Sequence, residues 1–303
     1  MTDLVDVLVS YVEREHPRSL PGVLEATRSG SGAFRATAEK QLGWLVRAFG
    51  DDAIPRAVDA FVRFSTDVNL HQARYELRGS YESKSYAEVY EQHYRHKEVM
   101  NDYLLGVYLT NVFWSHHMDI TALFLGRFLP RLADDARLVE FAFGHGGWGV
   151  QALAARPNAR LSGFDISPSA RGLAETFAKA AGVLDRAEYR EGDALDTRSV
   201  PEGQADGAIC CFLVEHLETP DRLAECVARV LKPNGIAFLT GALTAAQVDH
   251  IYEYRNESEL VLWAERAGLR VLETLSVQPK RLLPKAHFVP RSMALIVERS
   301  RPH

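Results

Sequence analysis

The sequence is short of cysteine, of long apolar runs and of surplus positive charge, and each shortage removes a class of function. Its 303 residues hold only three cysteines, Cys210, Cys211 and Cys226. Adjacent Cys210 and Cys211 point to opposite faces of any strand, which disfavours pairing. No C-x-x-C pair suggests a zinc site. A reduced, cytoplasmic protein is expected. No apolar run reaches the 18 or so residues of a membrane span, so no membrane partner is expected. The opening MTDLVDVLVSYVEREHPRSL is apolar only at intervals and carries acids early. It reads as an amphipathic helix rather than a signal peptide. Lys and Arg number 35 against 40 acids, a net charge of −5. That balance argues against nucleic acid, whose binders carry a basic patch. Metal is not expected either. His93 and His96 stand at i, i+3 and His116, His117 and Asp119 follow, but the matched Glu-x-x-His pairs of carboxylate-bridged bundles are missing.

What remains is an ordinary globular composition, 47% hydrophobic and 25% charged, written in two grammars. Residues 1–132 read as helix: Leu4, Val7, Leu8 and Tyr11 keep helical spacing, and the pattern recurs near 32–48, 52–76, 85–112 and 117–132. "SLPG", "RSGSG" and "ELRGSYES" read as breaks. Residues 133–303 alternate short apolar runs with helical stretches. "RLVEFAF", "RLSGFDIS", "AEYREGD", "ADGAICCFLV" and "GIAFLTGAL" read as strands, with "LRVLETLSVQ" and "HFVPRSMALIVER" near the end. Strands alternating with helices mean β-α-β units. The predicted fold class is α/β: an open, mostly parallel sheet of about seven strands preceded by an all-helical region.

In such sheets ligands bind beyond the carboxyl ends of the strands, beside the switch in strand order. "EFAFGHGGWG", Glu140 to Gly149, fills the first strand-to-helix loop. Gly144, Gly146 and Gly149 spell G-x-G-x-x-G and let backbone approach a ligand closely. The spacing serves NAD and S-adenosylmethionine equally. Asp165, ending the second strand, does not separate them, since an acid there accepts from ribose hydroxyls in either cofactor. Glu140 does discriminate: a dinucleotide fold has apolar residues at that point of a doubly covered strand, and a buried carboxylate needs a partner.

"LAECVARVLKPNGIAFLTGAL" closely resembles the "ARVLKPGG" turn of class I S-adenosylmethionine-dependent methyltransferases, and "DGAICCFLVEHLETPDRLAE" resembles their fourth strand and following loop. The resemblance covers about residues 137–298, with the motifs in order, and is of the small-molecule type. It implies S-adenosyl-L-methionine as cofactor. Glu140, Gly144 and Gly146 match the first motif, with Glu140 at the methionine end. Ala142 stands where the family usually has glycine. Asp165, followed by Ile166, matches the ribose acid. Asp193, in "EGDALD" with Ala194, fits an acceptor for the adenine amino group. Cys211 and Phe212 fall where the family lines the methyl-transfer site. His145 and Trp148 are unusual in the loop.

Methyl transfer needs a nucleophile held in line with the departing sulfur, and a neutral acceptor must also lose a proton. His216 in "VEHLETP" is the first candidate base, Glu215 its orienting neighbour or a site for a substrate cation, and His250 in "DHIYEYR" the second candidate. Tyr86, Tyr90 and Tyr94 recur every four residues, so they share one helix face. Tyr90, Tyr94, Tyr103, Trp114, His117 and Tyr252 are candidate substrate contacts, suited to an aromatic or cationic small molecule. The helical region is expected to cover the cofactor as a lid or to form a homodimer. The alternatives are a non-methylating protein on the same fold, such as a cyclase or regulatory subunit, and an NAD-dependent oxidoreductase. Whether oxygen, nitrogen or carbon accepts the methyl group is not legible.

Overall fold

The computed structural model describes residues 3–29, 32–196, 202–282 and 285–300. Among them no strand precedes residue 137. Helix α1 (Leu4–Glu15) starts on Asp3, whose Oδ1 accepts from the Asp6 amide at 3.1 Å. Its buried face is Val5, Leu8 and Val12, while Val7 is exposed. The apolar stripe is therefore turned by one residue from the predicted one. "SLPG" opens α2 (Leu20–Ser29) rather than breaking the chain, because proline is tolerated in the first helical turn. "RSGSG" includes Gly30 and Ser31, which lie outside the described residues. Helices α3 (Gly32–Phe49) and α4 (Ala53–Arg78) follow, and α4 stops at Gly79 in the left-handed conformation. The short α5 (Tyr86–Val89) runs on as a π-helical turn through Tyr90–Tyr94. Then come α6 (Lys97–Phe113), α7 (Ser115–Leu123) and a second π turn, Phe124–Phe128.

The sheet begins with β1 (Arg137–Phe141), buried on both faces from Leu138 onward, as a central parallel strand must be. Helix α8 (Gly147–Ala155), β2 (Arg160–Asp165), α9 (Pro168–Ala180) and β3 (Ala187–Glu191) complete one wing. The other holds β4 (Ala205–Cys210), α10 (Asp221–Val230), β5 (Leu231–Leu243), α11 (Glu257–Arg266), β6 (Leu269–Val277) and β7 (Arg291–Arg299). Strand order is β3-β2-β1-β4-β5-β7-β6, with β7 antiparallel to both neighbours. The expected seven-stranded, mostly parallel sheet is therefore present.

In sequence the helix before the "LKPNG" turn reads as ending at Lys232, with Pro233 stopping it and Asn234-Gly235 turning the chain into a strand; the structure differs in detail. Helix α10 stops at Val230, two residues before Lys232, and Leu231 already pairs with Ala205. Pairing resumes at Gly207 and Ile236, so Lys232–Gly235 bulge out of the ladder, with Asn234 at φ 65°.

The helical half shares its core with the sheet. Phe124 and Phe128 pack on Phe238 of β5 with centroids at 5.0 and 5.5 Å. Tyr108 of α6 stacks on Phe177 of α9 at 4.3 Å. Gln41 of α3 donates to Gln151 of α8 at 3.3 Å in a buried contact. These contacts bring α4, α6 and α7 over the carboxyl ends of β1, β4 and β5.

Candidate functional site

Strand order reverses between β1 and β4, and the chain is strained where it leaves these strands. Ala142, Phe212 and Thr244, just past β1, β4 and β5, have φ of 48°, 53° and 46°. A side chain in this region costs about 1 kcal/mol or more, and such strain gathers at ligand sites. Each residue is held by its backbone amide: Ala142 donates to Phe164 O at 2.7 Å, Phe212 to Thr240 O at 3.3 Å and to the Thr240 hydroxyl at 2.9 Å, and Thr244 to Tyr254 O at 2.9 Å. At Ala142 the left-handed backbone is the physical reason for glycine at this point of the motif.

Gly144 also has positive φ, 52°, and its amide donates to Asp165 Oδ2 at 2.8 Å. Asp165 Oδ1 accepts from Ser167 N at 2.9 Å. Asp165 thus ties the first loop to the start of α9, using one lone pair on each oxygen. Burial raises its pKa to about 6. Gly146 lets α8 approach α9, since a Cβ there would meet Ala174 Cβ at 2.6 Å. His145 is buried; its Nδ1 accepts from Gly147 N at 2.9 Å, its Nε2 lies 3.3 Å from Asn111 Nδ2, and its ring meets the edge of Tyr108. It locks the loop to α6 as a neutral ring, burial holding its pKa near 4. Trp148 packs on Phe124 and Phe238 and also reaches the cavity wall.

Glu140 is 2% exposed. Its Oε1 accepts from Gly149 N at 3.2 Å, and its Oε2 is buried without a partner. Burial pushes its pKa up to about 8. An orphaned carboxylate oxygen beside an open, glycine-lined loop fits a ligand that brings a cation, and the methionine end of S-adenosylmethionine is such a group. Asp193 is exposed and its Oδ1 accepts from Leu195 N at 2.8 Å, shaping the turn after β3. Ile166 is exposed and Ala194 buried at the same sheet edge. Tyr86 lies near enough to feel the charges of both Asp165 and Asp193, although burial is the larger cause of its raised pKa.

A cavity of about 540 Å³ opens over the strand ends. Glu140, Ala142, Gly144, Cys211 and Phe212 form its sheet side; Phe64, Tyr103, Trp114 and His117 cover it from α4, α6 and α7. Phe64 stacks on Trp114 at 5.6 Å, and His117 stacks on Phe212 at 4.8 Å with planes 20° apart. Gln72 of α4 fixes the far rim: it donates to Thr244 O and Phe288 O at 3.1 and 3.0 Å and accepts from Ala246 N at 2.8 Å.

The three predicted catalytic residues meet on this cavity. Glu215, His216 and His250 place a ligand atom each within 4.8 Å of one another. Both Glu215 carboxylate oxygens are buried without a well-formed hydrogen bond, only the amides of Glu215 and Ala242 facing the carboxyl, and burial raises the acid to about 7. His250 Nδ1 faces Ala245 O at 2.6 Å, and burial lowers its pKa to about 3. His216 Nδ1 faces Asp249 O at 3.0 Å and Asp249 Oδ2 at 3.5 Å. Tyr94 and Tyr103 both donate to that Oδ2, at 3.1 and 3.0 Å. Asp249 is 1% exposed and was not a sequence candidate; it stands in "AAQVDH", which has neither helical nor strand periodicity, and its partner Tyr94 is 155 residues away.

Three substrate candidates do not line the cavity. Tyr94 is the one bound to Asp249 beside His216. Tyr90 is exposed, its ring tilted beside Tyr86 at 5.9 Å. Tyr252 is exposed and packs on Tyr254; its backbone amide, not its ring, reaches the site by donating to Glu215 O at 3.0 Å. Of the metal candidates considered in the sequence, His116 and His117 stack in the Trp114 cluster, while His93 and His96 sit on the tyrosine segment and just beyond it.

Comparison with known proteins agrees with this geometry. Residues 139–239 match the family model described as a methyltransferase domain. The chain is similar to the ubiquinone biosynthesis O-methyltransferases of Xanthomonas axonopodis pv. citri (25% identity over 147 residues, 42% of this chain and 61% of the relative) and Cupriavidus pinatubonensis (27% over 149, 43% and 59%). It is also similar to an uncharacterized Synechococcus protein (29% over 114, 37% and 26%). The matches span about three-fifths of the two methyltransferases and about a quarter of the Synechococcus protein. Among solved structures, geranyl diphosphate methyltransferase in complex with SAM shares the fold at TM-score 0.51 and 15% identity, over 65% of this chain and 90% of that one. The geranyl diphosphate C-methyltransferase of Streptomyces coelicolor A3(2), in complex with Mg2+, geranyl diphosphate and S-adenosyl-L-homocysteine, does so at 0.50 and 15%, over 67% and 85%. Glu140 at the end of β1, the glycine loop, the strand order and the matched family model together place the sheet of this chain among the class I, S-adenosylmethionine-dependent methyltransferase domains.

Proposed function

We propose that the protein transfers a methyl group from S-adenosylmethionine to a small molecule held in the cavity under α4, α6 and α7. The observation that carries this reading is that one cavity joins the orphaned Glu140 oxygen to the Glu215–His216–His250 cluster, with aromatic walls between. When bound, S-adenosylmethionine supplies an electrophilic methyl on a sulfonium. Glu140 would hold its ammonium, the Gly144 backbone would lie against its methionine end, and Asp165 and Asp193 would face its ribose and adenine. Phe64, Trp114, His117 and Phe212 would orient a flat or apolar acceptor and keep water out. His216, with Nδ1 fixed by Asp249, presents its other nitrogen for the acceptor proton. Similarity to O-methyltransferases and to methyltransferases of geranyl diphosphate supports an acceptor of metabolite size.

Isothermal titration with S-adenosylhomocysteine, followed by a labelled-methyl assay across phenolic, amine and isoprenoid acceptors, tests the proposal. Binding of the demethylated cofactor and label transfer to a small molecule are expected. Failure to bind either form of the cofactor overturns it. Binding without transfer to any acceptor class favours a non-methylating role for the same site.

A further inference from the structure

We infer that Glu215, His216 and His250 form a binding site for a divalent transition-metal ion on the wall of the cavity. Their ligand atoms lie within 4.8 Å of one another, on the loops after β4 and β5. Two imidazoles and one carboxylate are a donor set suited to zinc, cobalt, manganese or ferrous ions. Metal bonds of about 2.1 Å would draw these atoms to about 3.4 Å apart, a closure of about an ångström.

Three independent features support the site. Glu215 is fully buried with no side-chain donor and no well-formed hydrogen bond at either carboxylate oxygen, only two backbone amides facing it, and it lines the cavity. A buried carboxylate without a cation or donor is costly, and no Lys or Arg side chain supplies one at either oxygen among the described residues. Both imidazoles have Nδ1 against a backbone carbonyl, Asp249 O for His216 and Ala245 O for His250. That contact fixes the proton on Nδ1 and leaves the Nε2 lone pair for an ion, the arrangement usual behind metal-bound histidines. Asp249, held by Tyr94 and Tyr103, then forms an outer layer behind His216.

Three protein ligands leave positions open toward the cavity. Those positions suit an acceptor with a coordinating oxygen or nitrogen, such as a phenol, catechol or hydroxy-acid. Metal binding stands apart from cofactor binding, but an ion on His216 Nε2 would replace the base role given to that nitrogen above and would itself acidify a coordinated acceptor; identification of the open-position ligand as the acceptor rests on the methyl-transfer reading. An organic ammonium is the competing occupant. It would pair with Glu215 and use neither imidazole.

The test is titration of chelator-stripped protein with Co2+, followed by visible absorption, and with Zn2+, followed by calorimetry, both without cofactor. One ion per chain is expected, with the ligand-field bands of a low-symmetry site. Glu215→Gln and His250→Gln should each weaken binding at least about tenfold, while both retain S-adenosylhomocysteine binding, which shows that they fold. The His93→Gln/His96→Gln double variant controls for surface histidines and should bind like the parent. Absence of ion binding in protein that binds S-adenosylhomocysteine overturns the site. So does binding that both cavity variants leave unchanged, or that the double variant abolishes. Binding that Glu215→Gln weakens and His250→Gln leaves unchanged would likewise overturn the three-residue site. Failure of S-adenosylhomocysteine binding in the parent would sink the methyl-transfer reading alone.

Discussion

Glu140 and Gly149 are joined by a single hydrogen bond, Gly149 N to Glu140 Oε1 at 3.2 Å, and the second carboxylate oxygen stands alone in the core. A Cβ on Gly149 would lie 2.3 Å from that second oxygen and 2.5 Å from Leu161 Cδ2. The glycine thus keeps open the space in which Glu140 stays unpaired.

Gly149→Ala should therefore displace Glu140 and destabilise the fold by about 1–3 kcal/mol, the usual range for overpacking. Thermal melts should show the lower stability. Calorimetry should show weaker S-adenosylhomocysteine binding, and unchanged affinity would disconnect Glu140 from the cofactor.

The raised pKa of Glu140 makes cofactor affinity pH-dependent. Its folded pKa of about 8 lies above the ordinary 4.5. In the free protein the acid is therefore protonated at neutral pH. Its contribution to fold stability is full below 4.5 and falls as pH rises toward 8. An ammonium placed against Oε2 favours the charged form. S-adenosylhomocysteine should then bind with proton release, and its affinity should rise between pH 6 and about 8. Calorimetry in buffers of different ionisation enthalpy measures the proton count; no release in that window contradicts the ion pair.

Ala142→Gly should stabilise the protein. The φ of 48° is unfavourable for alanine and open to glycine. The relief of about 1–2 kcal/mol is offset in part by the greater unfolded-state freedom of glycine. A net gain of about 0.5–1 kcal/mol in urea unfolding is expected. A loss would mean that the alanine methyl group makes contacts outweighing its strain.

Asp249→Asn should leave cofactor affinity unchanged and lower turnover at least about tenfold. Tyr94 and Tyr103 both donate to one Asp249 oxygen, and an amide nitrogen in that place would repel their hydroxyl hydrogens and remove the negative charge beside His216 Nδ1, while the backbone contact to that nitrogen stays. The effect should fall on kcat rather than on the acceptor KM. Trp114→Ala should do the opposite, raising the acceptor KM while sparing S-adenosylhomocysteine binding, because Trp114 stacks with Phe64 on the far wall.

The residues that could be read in sequence are those fixed by strand ends. Glu140, Gly144 and Asp165 each follow a short apolar run, so the topology of a parallel sheet brings them to one edge. The Glu215–His216–His250 cluster was legible for a similar reason, since Glu215 and His216 follow β4 and His250 follows β5. What escaped were features set by the third dimension. Asp249 has no periodic context, and its tyrosine partners come from the helical half. The i, i+4 spacing of Tyr86, Tyr90 and Tyr94 does bring the rings together, Tyr86 lying 5.9 Å from Tyr90 and 6.3 Å from Tyr94, but it could not show that Tyr94 reaches inward to Asp249 while Tyr90 stays at solvent. The end of α10 was placed two residues late, because Leu231 keeps the apolar rhythm of the helix while already pairing with Ala205.

Phe238 sits beneath Phe124 and Phe128, and Phe177 beneath Tyr108. The two halves of the chain are therefore poor candidates for independent inheritance. A chimera joined near residue 132 would graft half a core onto a stranger, leaving these five rings against unfamiliar surfaces. New acceptors should be reached by changes at Phe64, Trp114 and His117, which face the cavity, and not by exchanging the helical half whole.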